Sequence, residues 1–561
     1  MIASEEFVSA PSHGLSQRLA AAAPALLIFA GLVARLISAH SKFLNADEAI
    51  HYLLATQPTL PEAYRASLGT AHPPLLIIFL HYWAMISHAE LFLRLPSVAA
   101  GTAAGWFLYA WLRDAIDRAT AVVGMGLLLF SPALIYTSAE VRQYAFLLCF
   151  MSATLYSLER GLTGNSAEVR QYSFVLCFMS ATLYSLERGL TRNSVGSMLV
   201  SAVTLYLAML THYAALIFEA SIALYGLVRL ASMRPKRSLL AAWIATQAGC
   251  AAIAVFLWKT HISVIRHRAL THDVAESYLR SSLFHPGEEN VFLFLGRANV
   301  RVFHFLFSQG AVSVLGLLVF VTGIVLLLRT GKLVGGPNVR ALGILLLLPF
   351  IINCGAALVG VYPYGGTRHD SYLAIFAMPA IAFAITRWRP SQKWEMPAAV
   401  ALALAICNFT VTASGSYIRP ENQKKELMEQ AARYLHASAP SGSLIVTDYE
   451  SGLLLSYYVC GADITHSGEL TKFFYVSRCG GYGSASLLPG LWVFRAGTFQ
   501  EQIESLKKTV DQHEVWLFQA GFIVDREPEF QGMLGQYGCR SPRKFGANIL
   551  VCRIEVRGAV N

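Results

Sequence analysis

The chain has 561 residues, of which 55% are hydrophobic and 14% charged, with a formal net charge of +10 and a mean hydropathy of +0.48. A soluble domain carries about a quarter charged residues, so a wholly water-soluble globule is excluded and a bilayer is the solvent for most of the chain. The positive charge does not point to nucleic acid, because much of it sits in short loops between apolar blocks (Arg113–Arg118, Arg234–Arg237, Arg387–Arg389), the positive-inside pattern of a polytopic membrane protein.

The first apolar block, residues 19–39, ends in Leu36-Ile-Ser-Ala39, which imitates a signal cleavage site. It is longer than a signal-peptide core and many spans follow, so it reads as an uncleaved first helix. An outer loop, 40–96, comes next. It opens with Asn45-Ala-Asp47-Glu48, two adjacent carboxylates just past a membrane helix. Carboxylates at this place can deprotonate or orient an acceptor hydroxyl, or hold a metal; ordinary helix capping competes with that reading. His72-Pro73-Pro74 reads by itself as a polar residue before a proline-started helix. Residues 73–88 are apolar but short, and are expected as a juxtamembrane or re-entrant helix. Arg94, in Glu90-x3-Arg94-Leu-Pro-Ser97, is either a snorkelling anchor or a phosphate ligand.

Further spans are expected at 97–112, 119–137, 145–158, 197–210, 214–230, 239–258, 311–328, 341–360, 372–387 and 396–413. About eleven crossings put the C-terminal tail outside and the three basic loops inside. One segment disturbs this count. Residues 138–165 recur almost identically at 166–193, a period of 28 residues. Two near-identical copies are a recent tandem duplication or a sequence error rather than a solenoid. Only one copy is expected to cross fully, unless the pair forms a hairpin compensated elsewhere. Glu140-Val-Arg142-Gln-Tyr144, copied as Glu168-Val-Arg170-Gln-Tyr172, lies at an outer helix start and supplies an acceptor, a bidentate donor and a stacking hydroxyl. Thr211-His212-Tyr213 occupies an outer turn, and Arg368-His369, followed by Tyr372, lies near the outer leaflet, suited to a phosphate. Outer loop 259–310 is rich in Lys, Arg and His, which suggests contact with anionic headgroups or a pyrophosphate.

Residues 419–561 read as a soluble α/β domain: a helix over 421–437, strand-like runs at 443–448, 491–494, 514–518 and 549–552, and a helix over 499–509. Cys460, Cys479, Cys539 and Cys552 lie here, and either one or two disulfides or free buried thiols are consistent with that placement.

Taken in order, Asp47-Glu48, His72-Pro-Pro-Leu75, Glu90-x3-Arg94-Leu-Pro-Ser97, Ser131-Pro132 with Glu140-Val-Arg-Gln-Tyr144, Thr211-His-Tyr213 and Arg368-His369 resemble the GT-C glycosyltransferases. The likeness is to the protein O-mannosyltransferase and aminoarabinose-transferase type, the bacterial family 39-like, dolichyl-phosphate-mannose mannosyltransferase-like group, and covers residues 19–413. The resemblance implies a polytopic α-helical fold with an extracytoplasmic α/β tail, in a bacterial inner membrane. It implies a polyprenyl-phosphate-sugar donor, inverting transfer to a glycan, lipid or protein acceptor, and membrane lipids as surroundings. Asp47 would be the catalytic carboxylate with Glu48 supporting it. Arg142, Arg368 and His369 would meet the leaving phosphate, and His72, Arg94, Glu140, Tyr144, His212 and Tyr372 belong to the same candidate substrate-binding set. Relatives differ in their use of a divalent metal, so that cofactor stays open. The duplication leaves open whether Glu140-Arg142 or Glu168-Arg170 serves the site. A lipid-linked-oligosaccharide flippase or polysaccharide polymerase also places Arg and His at the outer interface. A secondary transporter would put charges at the midplane, and a mere anchor needs far fewer spans.

Overall fold

The computed structural model describes residues 13–70, 72–163, 195–231, 236–266, 276, 279–330, 339–387, 420–461, 464–489, 491, 494, 496–509, 514–520, 528–539 and 542–555. Seven helices among them are long and apolar enough to cross a membrane. They include α1 (His13–His40), α5 (Glu90–Ala115), α10 (Ala214–Ala231), α11 (Arg237–Leu257, prolonged through a π turn), α13 (Gly310–Thr330) and α14 (Val339–Leu358). The seventh, α15 (Ala374–Arg387), is preceded by a 3-10 turn at Arg368–Leu373. Two shorter apolar helices, α8 (Tyr144–Thr163) and α9 (Val195–Thr211), pack against each other and complete the bundle. Small residues bring the helices close, as expected where lipid supplies no hydrophobic drive. A Cβ on Gly323 would meet the Ala380 carbonyl oxygen at 2.0 Å, so α13 and α15 touch backbone to backbone.

The expected single span at 119–137 is a broken one. Helices α6 (Arg118–Phe130) and α7 (Pro132–Ser138) meet at a 60° bend. Pro132 lacks an N–H and fits the first turn of a new helix, and the Ser131 hydroxyl donates to the Leu306 carbonyl at 2.7 Å. The bend delivers residues 139–144 to one end of the bundle, called the site face below. The loop 40–96 lies on that face as α2 (Ala46–Ala55), α3 (Leu60–Ser67) and α4 (Leu75–Ala84). The expected non-spanning helix at 73–88 is α4, with Phe79, Tyr82, Met85 and Ile86 exposed as an apolar rim.

Asp117 and Arg387 pair at 3.0 Å on the opposite face. Helix α8 starts, and α9 ends, on the site face, where the Tyr144 and His212 rings lie 5.4 Å apart. Helix α8 therefore ends, and α9 starts, on the opposite face. The first repeat copy builds α8; the second lies outside the described residues, as does the expected span 396–413. Arg387 lies on the opposite face, and Gln423, which hydrogen-bonds to Phe43, lies on the site face.

The tail is a seven-stranded sheet ordered β2-β3-β4-β1-β5-β7-β6. The strands are β1 (Leu444–Thr447), β2 (Ile464–Glu469), β3 (Phe474–Cys479), β4 (Tyr482–Leu487), β5 (Glu514–Ala520), β6 (Arg543–Phe545) and β7 (Ile549–Glu555). Strand β1 pairs in parallel with β4 and β5, and the remaining pairs are antiparallel. Helices α16 (Lys425–Ser438), α17 (Tyr449–Leu455), α18 (Ala496–Lys507) and α19 (Pro528–Leu534) cover it. The run at 491–494 is not a strand where it is described; Phe494 is a buried core residue against Phe499 and Phe530. The hairpin β2-β3 lies outside the expected strands: β2, Ile464-Thr-His-Ser-Gly-Glu469, has no apolar run, whereas β3 opens on Phe474-Tyr-Val476. The four tail cysteines form two disulfides, Cys460–Cys479 and Cys539–Cys552.

Candidate active site

Helix α2 starts with a capping box. The Asn45 side chain accepts from the Glu48 amide at 3.0 Å, and Glu48 accepts from the Asn45 amide at 3.1 Å. Capping and function are therefore compatible here, because the box fixes where the neighbouring carboxylate points. Glu48 turns inward. Arg94 grips it with Nε at 2.8 Å and Nη2 at 2.6 Å, both side chains being fully buried. The remaining Arg94 donors go to the carbonyls of Ala39, Lys42 and Phe43 at 2.7–3.0 Å. Arg94 is thus neither a snorkelling anchor nor a phosphate ligand. Its N–H groups are all engaged, by the Glu48 carboxylate and by three carbonyls of the chain leading to Asp47, which leaves none for a phosphate. Glu48 also accepts the Val141 amide at 2.8 Å, tying the α7–α8 loop to α2.

Asp47 turns outward, with 26% of its side chain exposed. Its Oδ2 is bridged by Arg142 at 2.9 Å and Arg368 at 2.6 Å. Burial alone would raise its carboxyl pKa; the two guanidinium groups more than offset this and hold it well below the usual carboxylate range. Arg368 is set in place by a loop built on Asp370. One Asp370 oxygen accepts the amides of Gly365, Gly366 and Thr367 at 2.8–3.2 Å, and the other accepts from Asn353 at 3.2 Å. Gly365 and Gly366 have φ of 152° and 80°, which a side chain would resist.

Beside this triad runs a row of imidazoles. Ring centroids lie 6.0 Å apart for His51 and His72, 5.6 Å for His72 and His212, and 6.0 Å for His212 and His369. Tyr144 packs on both His212 and His369, and its hydroxyl accepts from Arg142 at 3.3 Å. His51 Nδ1 donates to the Asp47 carbonyl at 2.6 Å. The Ala214 amide donates to His212 Nδ1 at 3.1 Å, which leaves the proton on Nε2. Burial, then Arg142, lowers the His51 pKa to about 4 and that of His212 to about 3. His72 is likewise pushed well below its ordinary value. The row is therefore neutral at physiological pH. His72 Nδ1, His212 Nε2 and Arg142 Nε are buried without a hydrogen-bond partner among the described residues.

Glu140 sits behind Asp47. It accepts from Asn45 Nδ2 at 2.7 Å, and burial, with Glu48 nearby, raises its pKa to about 7. Lys42, whose pKa burial lowers to about 8, lies 4.0 Å over the Tyr136 ring in the same cluster. Tyr372 does not join the site: it is fully buried and its ionisable neighbours are Tyr362, Asp370 and Tyr364. The structure thus gathers Asp47, Arg142, Arg368, His72, His212, His369 and Tyr144 in one cleft, places Glu48, Arg94 and Glu140 behind it, and leaves Tyr372 out. Sequence reading missed His51, Lys42 and Asp370. His51 had a findable signal, one helical turn after Asp47; Asp370 had one in the Gly-Gly before it. Glu168, Arg170 and Tyr172 lie outside the described residues. Among the described residues no three His, Cys, Asp or Glu side chains converge as metal ligands, and Asp47 is spanned by arginines, so the donor set does not fit a metal.

In the loop 259–310 two of the described arginines are paired with carboxylates, and Arg301 donates to the Ser281 carbonyl at 3.2 Å. Arg280 meets Glu276 at 2.6 Å and also Glu288, and Arg297 meets Glu289 at 2.6 Å. The expected headgroup or pyrophosphate contact therefore has no support from Arg280 or Arg297.

A polytopic helical body with a carboxylate–arginine cleft at one face, roofed by short outer helices and a small α/β domain, defines the class. Residues 71–175, which include the whole first repeat copy, match the model of the dolichyl-phosphate-mannose-protein mannosyltransferase family. The fold is similar to ArnT from Cupriavidus metallidurans bound to undecaprenyl phosphate, with TM-score 0.54 and 12% identity over 95% of this chain and 98% of that one. The same protein in its apo state gives 0.52 and 11%, over 94% and 97%. No curated protein matches the sequence. In fold this chain is similar to ArnT, and its residues 71–175 are similar in sequence to the protein mannosyltransferase family.

Proposed function

We propose that this protein transfers a sugar from a polyprenyl-phosphate donor to an extracytoplasmic acceptor, with inversion, in the inner membrane of a bacterium. The observation that carries the reading is Asp47, a partly exposed carboxylate bridged by two arginines at the membrane-loop face. The ArnT-like fold and the matched mannosyltransferase segment agree with it.

The chemistry follows from the geometry. The acceptor hydroxyl oxygen bonds to the anomeric carbon as the carbon–phosphate oxygen bond breaks, and the electron pair leaves with the phosphate. Asp47 stays ionised at any working pH, so it accepts the hydroxyl hydrogen bond, orients the nucleophile and takes the proton as the bond forms. Arg142 and Arg368 exchange part of their contact with Asp47 for the leaving phosphate, where negative charge grows. The neutral His212 Nε2–H and the spare nitrogen of His72 supply hydrogen bonds to donor oxygens without adding charge.

The test is transfer of radiolabel from polyprenyl-phosphate sugars in membranes, comparing the native chain with Asp47→Asn. Label on an acceptor in the native sample, lost in the variant at equal protein level, supports the reading. Equal transfer in both removes Asp47 from its centre. No transfer from any donor favours a flippase or polymerase.

A further inference from the structure

Three residues ahead of Asp47 the chain runs as an extended segment, 41–44, into the Asn45 cap. Arg94 holds its carbonyls from the membrane side. The tail holds its other edge. The Phe43 amide donates to the Gln423 carbonyl at 3.0 Å, the Gln423 side chain donates back to the Phe43 carbonyl at 3.1 Å, and the Lys425 amide donates to the Ser41 carbonyl at 3.2 Å. Phe43, Ala46 and Ala49 belong to the same buried cluster as Met428, Leu454 and Phe518 of the tail. The tail is therefore one wall of the pocket in which α2 starts.

One side chain joins all three parts. The Tyr458 hydroxyl accepts the Leu44 amide at 2.7 Å and donates to the Glu90 carboxylate. Glu90, almost fully buried, is neutralised by Lys425 at 3.1 Å. Glu90 is one helical turn before Arg94, so both point from one face of α5. Tyr458 thus connects the tail to the segment preceding Asp47 and to the helix whose arginine holds Glu48. The Cys460–Cys479 disulfide anchors the turn that carries it to β3.

We propose that Tyr458 is a positioning residue for Asp47, and that the tail acts in the reaction by fixing the register of segment 41–47 against Arg142 and Arg368. The activity half of this inference rests on the glycosyl-transfer reading above; the structural half does not. Tyr457 is the natural control. It donates to the His88 carbonyl at 2.6 Å, away from segment 41–47.

The experiment uses the full-length protein in nanodiscs with two readouts: hydrogen exchange of amides 43–48, and initial rates over a range of a polyprenyl-phosphate sugar donor. Tyr458→Phe is expected to speed exchange at Leu44 and the first turn of α2 at least tenfold, and to lower kcat about tenfold at unchanged donor KM. Tyr457→Phe is expected to alter neither. Should Tyr458→Phe fail to fold, Lys425→Met removes the Glu90 pair, with the longer Glu429 contact at 3.9 Å, from a partly exposed side chain and should shift both readouts in the same direction by less. Unchanged exchange in the folded Tyr458→Phe protein, or faster exchange with kcat retained, overturns the proposal. If the native protein transfers from no donor, the glycosyl-transfer reading fails, and exchange alone decides whether Tyr458 holds the Asp47 segment.

Discussion

Asp47 and Glu48 are neighbours in sequence, both carboxylates, both paired with arginine, and they sit in opposite regions of the molecule. Behind α2, Glu48 and Arg94 are fully buried, each satisfied by several partners. In front of it, Asp47 keeps a quarter of its side chain exposed and is shared between two arginines. The difference separates two uses of one chemical pair. A closed pair with every donor engaged holds backbone; a pair with unspent donors and exposed surface has capacity left for a ligand.

The sharpest break in that comparison is Asp47→Asn. We expect transfer to fall about 10²–10⁴-fold with the thermal unfolding midpoint little changed, measured by labelled-donor assay and by melting of the same preparation. The inverse is expected of Arg94→Ala: an uncompensated Glu48 costs about 3–5 kcal/mol, read as loss of folded protein in detergent before any kinetic effect is measurable. Next in size, Cys460→Ser with Cys479→Ser should cost roughly 2–4 kcal/mol in tail stability, seen as earlier unfolding of the tail by limited proteolysis. Arg368→Lys keeps the charge but gives up the planar fork; roughly a tenfold drop in kcat with stability preserved would place it on the open side of the comparison. The smallest expected effect is in pH. Unfolded histidines protonate near pH 6.5, whereas His51 and His212 resist to about 4 and 3. Between those values the unfolded state binds more protons, so stability falls as pH drops from 6.5 towards 4. A melting series should show this slope, and His212→Gln should flatten part of it.

Much of the architecture was legible because bilayer chemistry is blunt. Long apolar blocks, basic loops and the short 73–88 segment translate directly into α1, α4 and the spanning helices. The bend at Ser131-Pro132 was not read, since the apolar pattern continues across it and only the proline hints at a break. The order of motifs picks out Asp47, Arg142, Arg368, His72 and His212, and the fold places these side chains near one another. Arg94 was misread because sequence gives a cation near a membrane edge but not its partners, and Glu48 is 46 residues away. Tyr372 was carried in by its neighbours: Arg368 and His369, the first two residues of the 3-10 turn, reach the Asp47 cluster, whereas Tyr372 further along the turn is fully buried. Docking of the tail on the outer loop had no local signal, as its contacts span nearly the whole chain.

That separation has a consequence for how the protein is made. Leu44 and Tyr458 are 414 residues apart. At a synthesis rate of about 5–20 residues per second, the segment before Asp47 waits roughly 20–80 s for the partner that completes its wall. During that interval the helices from α5 to α15 are synthesised while the segment before Asp47 lacks its partner. A chain truncated before the tail would therefore lack the wall before Asp47, so that the arrival of Tyr458, rather than of the helices, completes the surroundings of that segment.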